Sequence, residues 1–356
     1  MSAAAARAGR YGRAGLRWAR LLADLRPRPG LRVSYGWDRV PAPGEPASGG
    51  TAKLQKLAER WPNRPADFTL LYLASPHFPR DLGPLLRIAR RRRAAVVVNQ
   101  DGVAYPGWAG DRVEELNRPL RRAIATADHV LYQSAFCKRS ADAFVGGPRG
   151  SWEILHNAVD VGRFTPGLPP EGPPVLLLGG DQTQAYRLEL ALATLRALQA
   201  AHPDARLLVT GRTVVDADRL ASELGLRAHV DLIGHYAQRD APDVFRRAHL
   251  LLHTKVNDPC PTTVIEAMAC GLPVVYPASG GTVELVGDEA GIGVPHEDAF
   301  ERDSPPEAEA LAEAVTAVLA DRARFAAAAR DRAVGRFALG PWLDRHAELF
   351  AELTRP

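Results

Sequence analysis

Short runs of consecutive apolar residues alternate along this chain with stretches in which apolar positions return every three or four residues. Leu31–Ser34, Phe68–Ala74, Ala94–Val98, His129–Tyr132 and Trp152–Leu155 are of the first kind and predict strands buried on both faces. Thr51–Trp61 and Arg112–Ala127 are of the second kind and predict helices between them. Residues 166–174 interrupt the rhythm with five prolines and two glycines, the composition of a linker. It then restarts with Val175–Gly179, Ala205–Gly211, Val230–Gly234, Leu250–His253 and Pro273–Tyr276. From Glu307 to Thr354 the pattern is helical, with Leu311, Val315, Val318 and Leu319 on one face.

Strand–helix–strand repeats of this kind make mostly parallel sheets. The chain is therefore expected to be α/β, with two doubly wound, Rossmann-like domains at residues 30–165 and 175–340 facing a cleft. Ligands of such folds bind beyond the carboxyl ends of the strands. Residues 341–356 are expected as a C-terminal helix that packs back on the N-terminal domain.

Composition changes this picture little. With 356 residues, 46% apolar, 24% charged and a net charge of +4, the chain can bury enough surface to fold. Cys137, Cys260 and Cys270 make neither a disulfide framework nor a C-x-x-C site, which fits a reducing, cytoplasmic setting. No run approaches the roughly 18 apolar residues of a spanning helix. The basic residues are almost all arginine and accompany abundant alanine, a codon-bias signature. Arg90–Arg93 reads as a solvated helix end rather than a nucleic-acid contact.

The first thirty residues carry seven arginines against one aspartate, with Tyr11, Trp18, Leu21, Leu22 and Leu25 at helical spacing. This basic amphipathic segment, residues 1–29, fits either a peripheral foot on an anionic membrane or a helix packed on the protein's own surface.

The most informative stretch is Asp258 to Gly271, D-P-C-P-T-T-V-I-E-A-M-A-C-G. It sets two carboxylates eight positions apart, with a turn and a helix start at Pro261, Thr262 and Thr263 between them. Unpaired N–H groups at a helix start suit a phosphate or diphosphate. Glu266, one turn further, can reach a ribose attached to it. No phosphate-loop, nucleophile-elbow or H-x-x-x-H spacing occurs.

This segment resembles the E-x(7)-E signature of the retaining glycosyltransferases of family 4. Glu266-Ala267-Met268-Ala269, Gly271, Pro273 and Val274 match its continuation, and Ser279-Gly280-Gly281 with Glu284-Leu285-Val286 resembles the G-G-x-x-E-L-V that follows, ahead of a closing glycine turn at Gly291-Ile292-Gly293. Upstream, Asn157-Ala158-Val159-Asp160 with Phe164 and Pro166 is similar to the family's interdomain strand. The resemblance covers most of residues 130 to 340 and reaches the N-terminal domain through Gly49-Gly50 and Asn99-Gln100-Asp101-Gly102.

The resemblance implies a GT-B fold and the transfer of a sugar, with retention and without a metal or other cofactor. The donor would be a nucleoside-diphosphate sugar and the acceptor a saccharide or lipid-linked hydroxyl, in the synthesis of a bacterial glycan or cell-surface polysaccharide. It implies Glu266 at the nucleotide ribose and Asp258 where the family's first glutamate meets the donor sugar, one methylene shorter. Gly180 and Tyr186 stand where the family carries the arginine and lysine of its diphosphate site. Arg187 is the nearest replacement, with Arg212 or Lys255 as a second charge. Gly234, His235 and Tyr236 would lie at the base, Gly49 and Gly50 at the donor phosphates, and Asp101, or Gln100 beside it, near a position where many relatives carry a histidine facing the reacting sugar. A non-catalytic GT-B module and a nucleotide-sugar epimerase on the same fold are the alternatives.

Overall fold

The computed structural model describes every residue except 1–14, 16, 46, 48, 169, 298 and 356. Two separate parallel sheets form, each built from one half of the strand rhythm. The first contains β1 (Val33–Ser34), β2 (Leu70–Ala74), β3 (Ala95–Gln100), β4 (His129–Tyr132) and β5 (Ser151–Ile154), side by side in chain order. Every residue of β2, β3 and β4 is buried, as continuous apolar runs demand when helices cover both faces. Leu71, Leu73, Val96, Val98 and Val130 pack against the helices Leu82–Arg91, Val113–Ile124 and Ala135–Phe144. Leu70, Tyr72, Ala95, Val97 and Leu131 point the other way, onto Leu54 and Leu57 of helix Gly50–Arg60. The crossovers from β1 to β2 and from β2 to β3 step in the same direction yet place their helices on opposite faces. They are therefore of opposite hand, an exception to the usual right-handed rule.

The second sheet has β6 (Val175–Leu178) at its centre, in the order β11-β10-β9-β6-β7-β8. Strand order reverses between β6 and β9 (Leu250–Leu252), and the ends of these two strands define the switch point where such folds open a crevice. The other strands are β7 (Arg206–Thr210), β8 (Val230–Gly234), β10 (Val274–Pro277) and β11 (Gly291–Val294). The chain crosses between domains twice. After the link at residues 166–174, it returns at Ala338, where Val159 N donates to Phe337 O and Leu339 N to Val159 O. Helix Leu339–Leu353 then lies on the first sheet, with Trp342, Leu349 and Phe350 in one core with Tyr35 and Tyr72. His346 is buried there, facing the Tyr72 hydroxyl at 3.0 Å.

Three local features differ from the pattern reading, and a fourth decides between its two alternatives. Strand β5 is an exposed edge rather than a doubly buried strand, with Trp152 49% exposed, because no further strand follows it in the sheet. Gly291–Val294 is an edge strand paired with β10 rather than a turn. The long C-terminal helical pattern is three helices, Ala308–Ala320, Arg322–Phe337 and Leu339–Leu353, broken at Asp321 and Ala338. Finally, Leu21 of the N-terminal helical residues 17–23 is fully buried in the first domain's core, Trp18 Nε1 donates to Asp81, and Arg92 binds the carbonyls of Leu21 and Asp24. The apolar face at Trp18, Leu21 and Leu25 thus packs on the protein itself. Tyr11 and the arginines before residue 15 lie outside the described residues. Among the described residues no helix is long and apolar enough to cross a membrane.

Phe350 stands near the chain's end but fills the first domain's core between Trp61 and Tyr72. Phe350→Ala is expected to lower the unfolding free energy by about 3 to 5 kcal/mol in chemical denaturation. Leu168→Ala, at a side chain 92% exposed, should change it by less than about 0.5 kcal/mol. A small effect at Phe350 would mean that this helix is not part of the domain's cooperative unit.

Candidate active site

The carboxyl ends of both sheets face each other. Loop Asp258–Pro261, between β9 and helix Thr262–Ala269, is held from both sides. Gly281 N donates to Asp258 O at 2.8 Å, and a Cβ on Gly281 would collide with the Pro259 carbonyl, so only glycine allows this approach. From the first domain, Ser134 Oγ donates to Pro259 O at 2.6 Å and Asn157 Nδ2 to Cys260 O at 2.7 Å. Glu284 accepts from Ala135 N and Phe136 N, capping the first-domain helix Ala135–Phe144 across the interface. The E-L-V glutamate of the sequence motif thus joins the two domains.

Asp258 sits in this loop, nearly buried. Its Oδ2 lies 3.3 Å from His253 Nε2 and 3.4 Å from Lys255 Nζ. Burial opposes its ionisation, but Lys255, His253 and Arg187 outweigh burial and hold the carboxyl well below the usual range. Arg187 is 5% exposed, donates to Asp181 O at 2.8 Å and keeps an Nε with no partner. It stands behind Asp258 rather than in solvent.

A cleft of about 690 Å³ between the domains brings together Gly49 from the first domain with Gly180, Arg212, His235, Tyr236, Thr262, Thr263 and Glu266 from the second. Gly49, with φ 51°, begins helix Gly50–Arg60 in a conformation that favours glycine. Arg212 is engaged by Asp181 at 3.1 Å. The Glu266 carboxylate has no hydrogen-bond partner among the described residues, although its backbone O accepts from Cys270 N. Burial raises its pKa to about 7, against the pull of Lys56 and Arg163. Tyr236 stands beside it, its phenol pushed up to about 12 by burial and by Glu266. Asp101 and Lys255 line an adjoining cavity of about 620 Å³, whose far wall is apolar, with Phe78, Trp108 and Leu116. Gly50 packs against Ser75 and His77 behind the cleft wall, Gly234 ends β8, and Pro261 is buried ahead of its helix.

Sequence reasoning passed over three residues. His253 looks like the end of an apolar strand, and only the fold brings it against Asp258. Lys53 and Lys56 read as the polar face of a helix, yet both line the cleft, Lys53 at 7% exposure. Their spacing of three marked them as neighbours on one helix face, and nothing local marked that face as covered. Among the described residues no cluster of three or more His, Cys, Asp or Glu could hold a metal.

The fold is GT-B, two parallel-sheet α/β domains about a cleft. HepE of Anabaena in complex with UDP superposes with a TM-score of 0.62 over 85% of this chain and 81% of its own, at 19% identity. Sucrose-phosphate synthase of Thermosynechococcus elongatus gives 0.69 over 92% and 99%, at 18% identity. Residues 164–333 match the family model of glycosyl transferases group 1. A GDP-mannose-dependent alpha-(1-6)-phosphatidylinositol monomannoside mannosyltransferase of Mycolicibacterium smegmatis is 30% identical over 58% of this chain and 58% of its own. The gpi3 subunit of phosphatidylinositol N-acetylglucosaminyltransferase of Schizosaccharomyces pombe is 24% identical over 58% and 44%. The chain spans about half the length of the curated relatives it matches.

Glu266 makes the site electrostatically unfavourable when empty. Its folded pKa near 7 exceeds the ordinary 4.5, so ionisation costs stability, and the loss grows as pH rises from 4.5 through 7. Glu266→Gln, which cannot ionise, should be more stable than wild type by roughly 1 to 3 kcal/mol at pH 8 and equal to it below pH 4.5. Denaturation at both pH values checks this. A variant no more stable at pH 8 would show that the carboxylate is solvated.

Proposed function

We propose that the chain is a retaining, metal-independent glycosyltransferase that moves a sugar from a nucleoside-diphosphate sugar to a hydroxyl of a saccharide or lipid-linked acceptor, in the assembly of a glycan or cell-surface polysaccharide. The observation that carries this reading is the placement of Asp258 and Glu266. Glu266 lines the interdomain cleft opposite Gly49, and Asp258, on the same loop–helix unit, stands behind Lys255, which lines the adjoining cavity opposite Asp101. The names of relatives support it, since one is GDP-mannose-dependent and HepE is solved with UDP.

In this reading the nucleotide lies along Tyr236, His235 and Glu266, the ribose hydroxyls donating to the Glu266 carboxylate. The diphosphate rests near Gly49 and the start of helix Thr262–Ala269, and the sugar reaches toward Asp258. Asp258, held ionised by Lys255, His253 and Arg187, accepts from sugar hydroxyls and fixes the anomeric carbon against the acceptor. The bond from that carbon to the phosphate oxygen breaks, and the oxygen keeps the electron pair. The acceptor oxygen bonds to the same face, and its proton passes to the departing phosphate oxygen. No protein nucleophile is needed, and the chain contributes position, charge and exclusion of water. Asp101 faces this exchange from the first domain.

The test is nucleotide release and product analysis with a panel of nucleotide sugars and acceptors, with and without chelator. Transfer with an unchanged anomeric configuration by NMR, insensitive to chelator, is expected. Asp258→Asn should lower kcat by roughly 10²- to 10³-fold, and Glu266→Ala should abolish nucleotide binding in a folded protein. Inverted product or chelator-sensitive turnover overturns the mechanism. Isomerised donor sugar without acceptor would identify an epimerase, and nucleotide binding without turnover on any acceptor a non-catalytic module.

A further inference from the structure

The chain has four lysines among 45 basic residues, and three of them, Lys53, Lys56 and Lys255, line the two adjoining interdomain cavities. Lys255 is paired with Asp258. The other two are not paired. Lys53 and Lys56 lie one turn apart on helix Gly50–Arg60, immediately after the Gly49 turn. Lys53 Nζ donates to Asn99 Oδ1 at 3.4 Å, and Lys56 Nζ to Ala158 O at 2.7 Å. Neither has a carboxylate within ion-pair distance among the described residues. An ammonium has three donors, so each keeps two beyond its one protein acceptor.

Burial pulls the pKa of both lysines down, with Asp101 acting against it at Lys53 and Glu266 at Lys56. A buried cation without a counter-ion is costly, and such a group persists where a bound anion completes it. The floor beside Lys53 has the same incompleteness. Asn99 Nδ2 and Gln133 Oε1 are buried there without partners.

The second domain offers little to a diphosphate at the corresponding place. Gly180 carries no charge, the Tyr186 hydroxyl accepts from Val256 N, Arg187 is turned toward Asp258 and Asp181 O, and Arg212 is held by Asp181. We propose that Lys53 and Lys56, from the domain opposite the nucleotide, hold the donor's diphosphate and stabilise the charge that grows on it as the sugar departs. This rests on the donor reading above. It has a consequence that a cation on the second domain would not have. A donor bound to the second domain alone lacks its electrophilic clamp, and the departing diphosphate meets both ammonium groups only when the two domains are closed on each other. Activation of the sugar is thereby tied to a closed site from which water is excluded.

The experiment is calorimetric titration of the full chain, without added metal, with UDP, GDP, ADP and dTDP and with the corresponding monophosphates. Wild type should bind its preferred diphosphate roughly tenfold to hundredfold more tightly than the monophosphate, the range expected for charge-assisted hydrogen bonds. In Lys53→Met/Lys56→Met that preference should fall below about threefold, with monophosphate affinity unchanged, and Lys53→Arg/Lys56→Arg should restore part of it. Lys138→Met, on an outer helix beside Asp142, should leave it as in wild type. If the double methionine variant does not fold, Lys53→Gln and Lys56→Gln are titrated singly, and each should lose part of the preference. An undiminished preference in the folded variants overturns the proposal and leaves the donor reading standing. Failure of wild type to bind any of the four diphosphates overturns both.

Discussion

Everything at this site depends on one short loop being clamped between two independently formed sheets. Asp258–Pro261 makes backbone and side-chain hydrogen bonds to Gly281 in its own domain and to Ser134 and Asn157 in the other. Gly102 also approaches Pro259 so closely that a Cβ there would lie 2.8 Å from its ring. The loop's backbone groups are satisfied only when both domains are present, which makes the interface and the site one structure. Glu284 extends the same constraint by capping a helix that belongs to the opposite domain. Movement of one domain against the other would strip partners from the loop that carries Asp258.

The charges around the loop fall into two groups with different energetics. Asp258 is surrounded by cations and ionised, a closed local network that burial alone cannot neutralise. Glu266, Lys53 and Lys56 are the opposite case, a carboxylate and two ammonium groups desolvated without direct ion pairs among the described residues. Local stability is given up at groups that a ligand can complete, which is the common relation between preorganised sites and folding free energy. The adjoining cavity adds contrast of another kind, since polar groups gather near Lys255 and Asn257 while its far wall is apolar.

The α/β class was legible because doubly buried strands require unbroken apolar runs, and β2, β3, β6, β7 and β9 all come from such runs. The burial of β5 was not, because Trp152 and Ile154 look like core residues until the sheet ends beside them. The N-terminal helix shows the same ambiguity in reverse. Its leucines and Trp18 form an apolar face that local pattern alone cannot assign to a membrane or to the protein, and the first domain's core takes Leu21.

Local pattern was enough for the two strand–helix rhythms, the link between them and the spacing that places Asp258 and Glu266 on one loop–helix unit. These depend on periodicity and turn chemistry, which act over a few residues. Tertiary structure alone decided which charges lost their water. His253 became a partner of Asp258, Lys53 became a buried cation and Lys56 a half-buried one, and Glu284 became a cap, because each is covered or met by a segment a hundred or more residues away or by a strand whose neighbours are set only by the sheet. Desolvation depends on what arrives from elsewhere in the chain, and no local pattern carries that information.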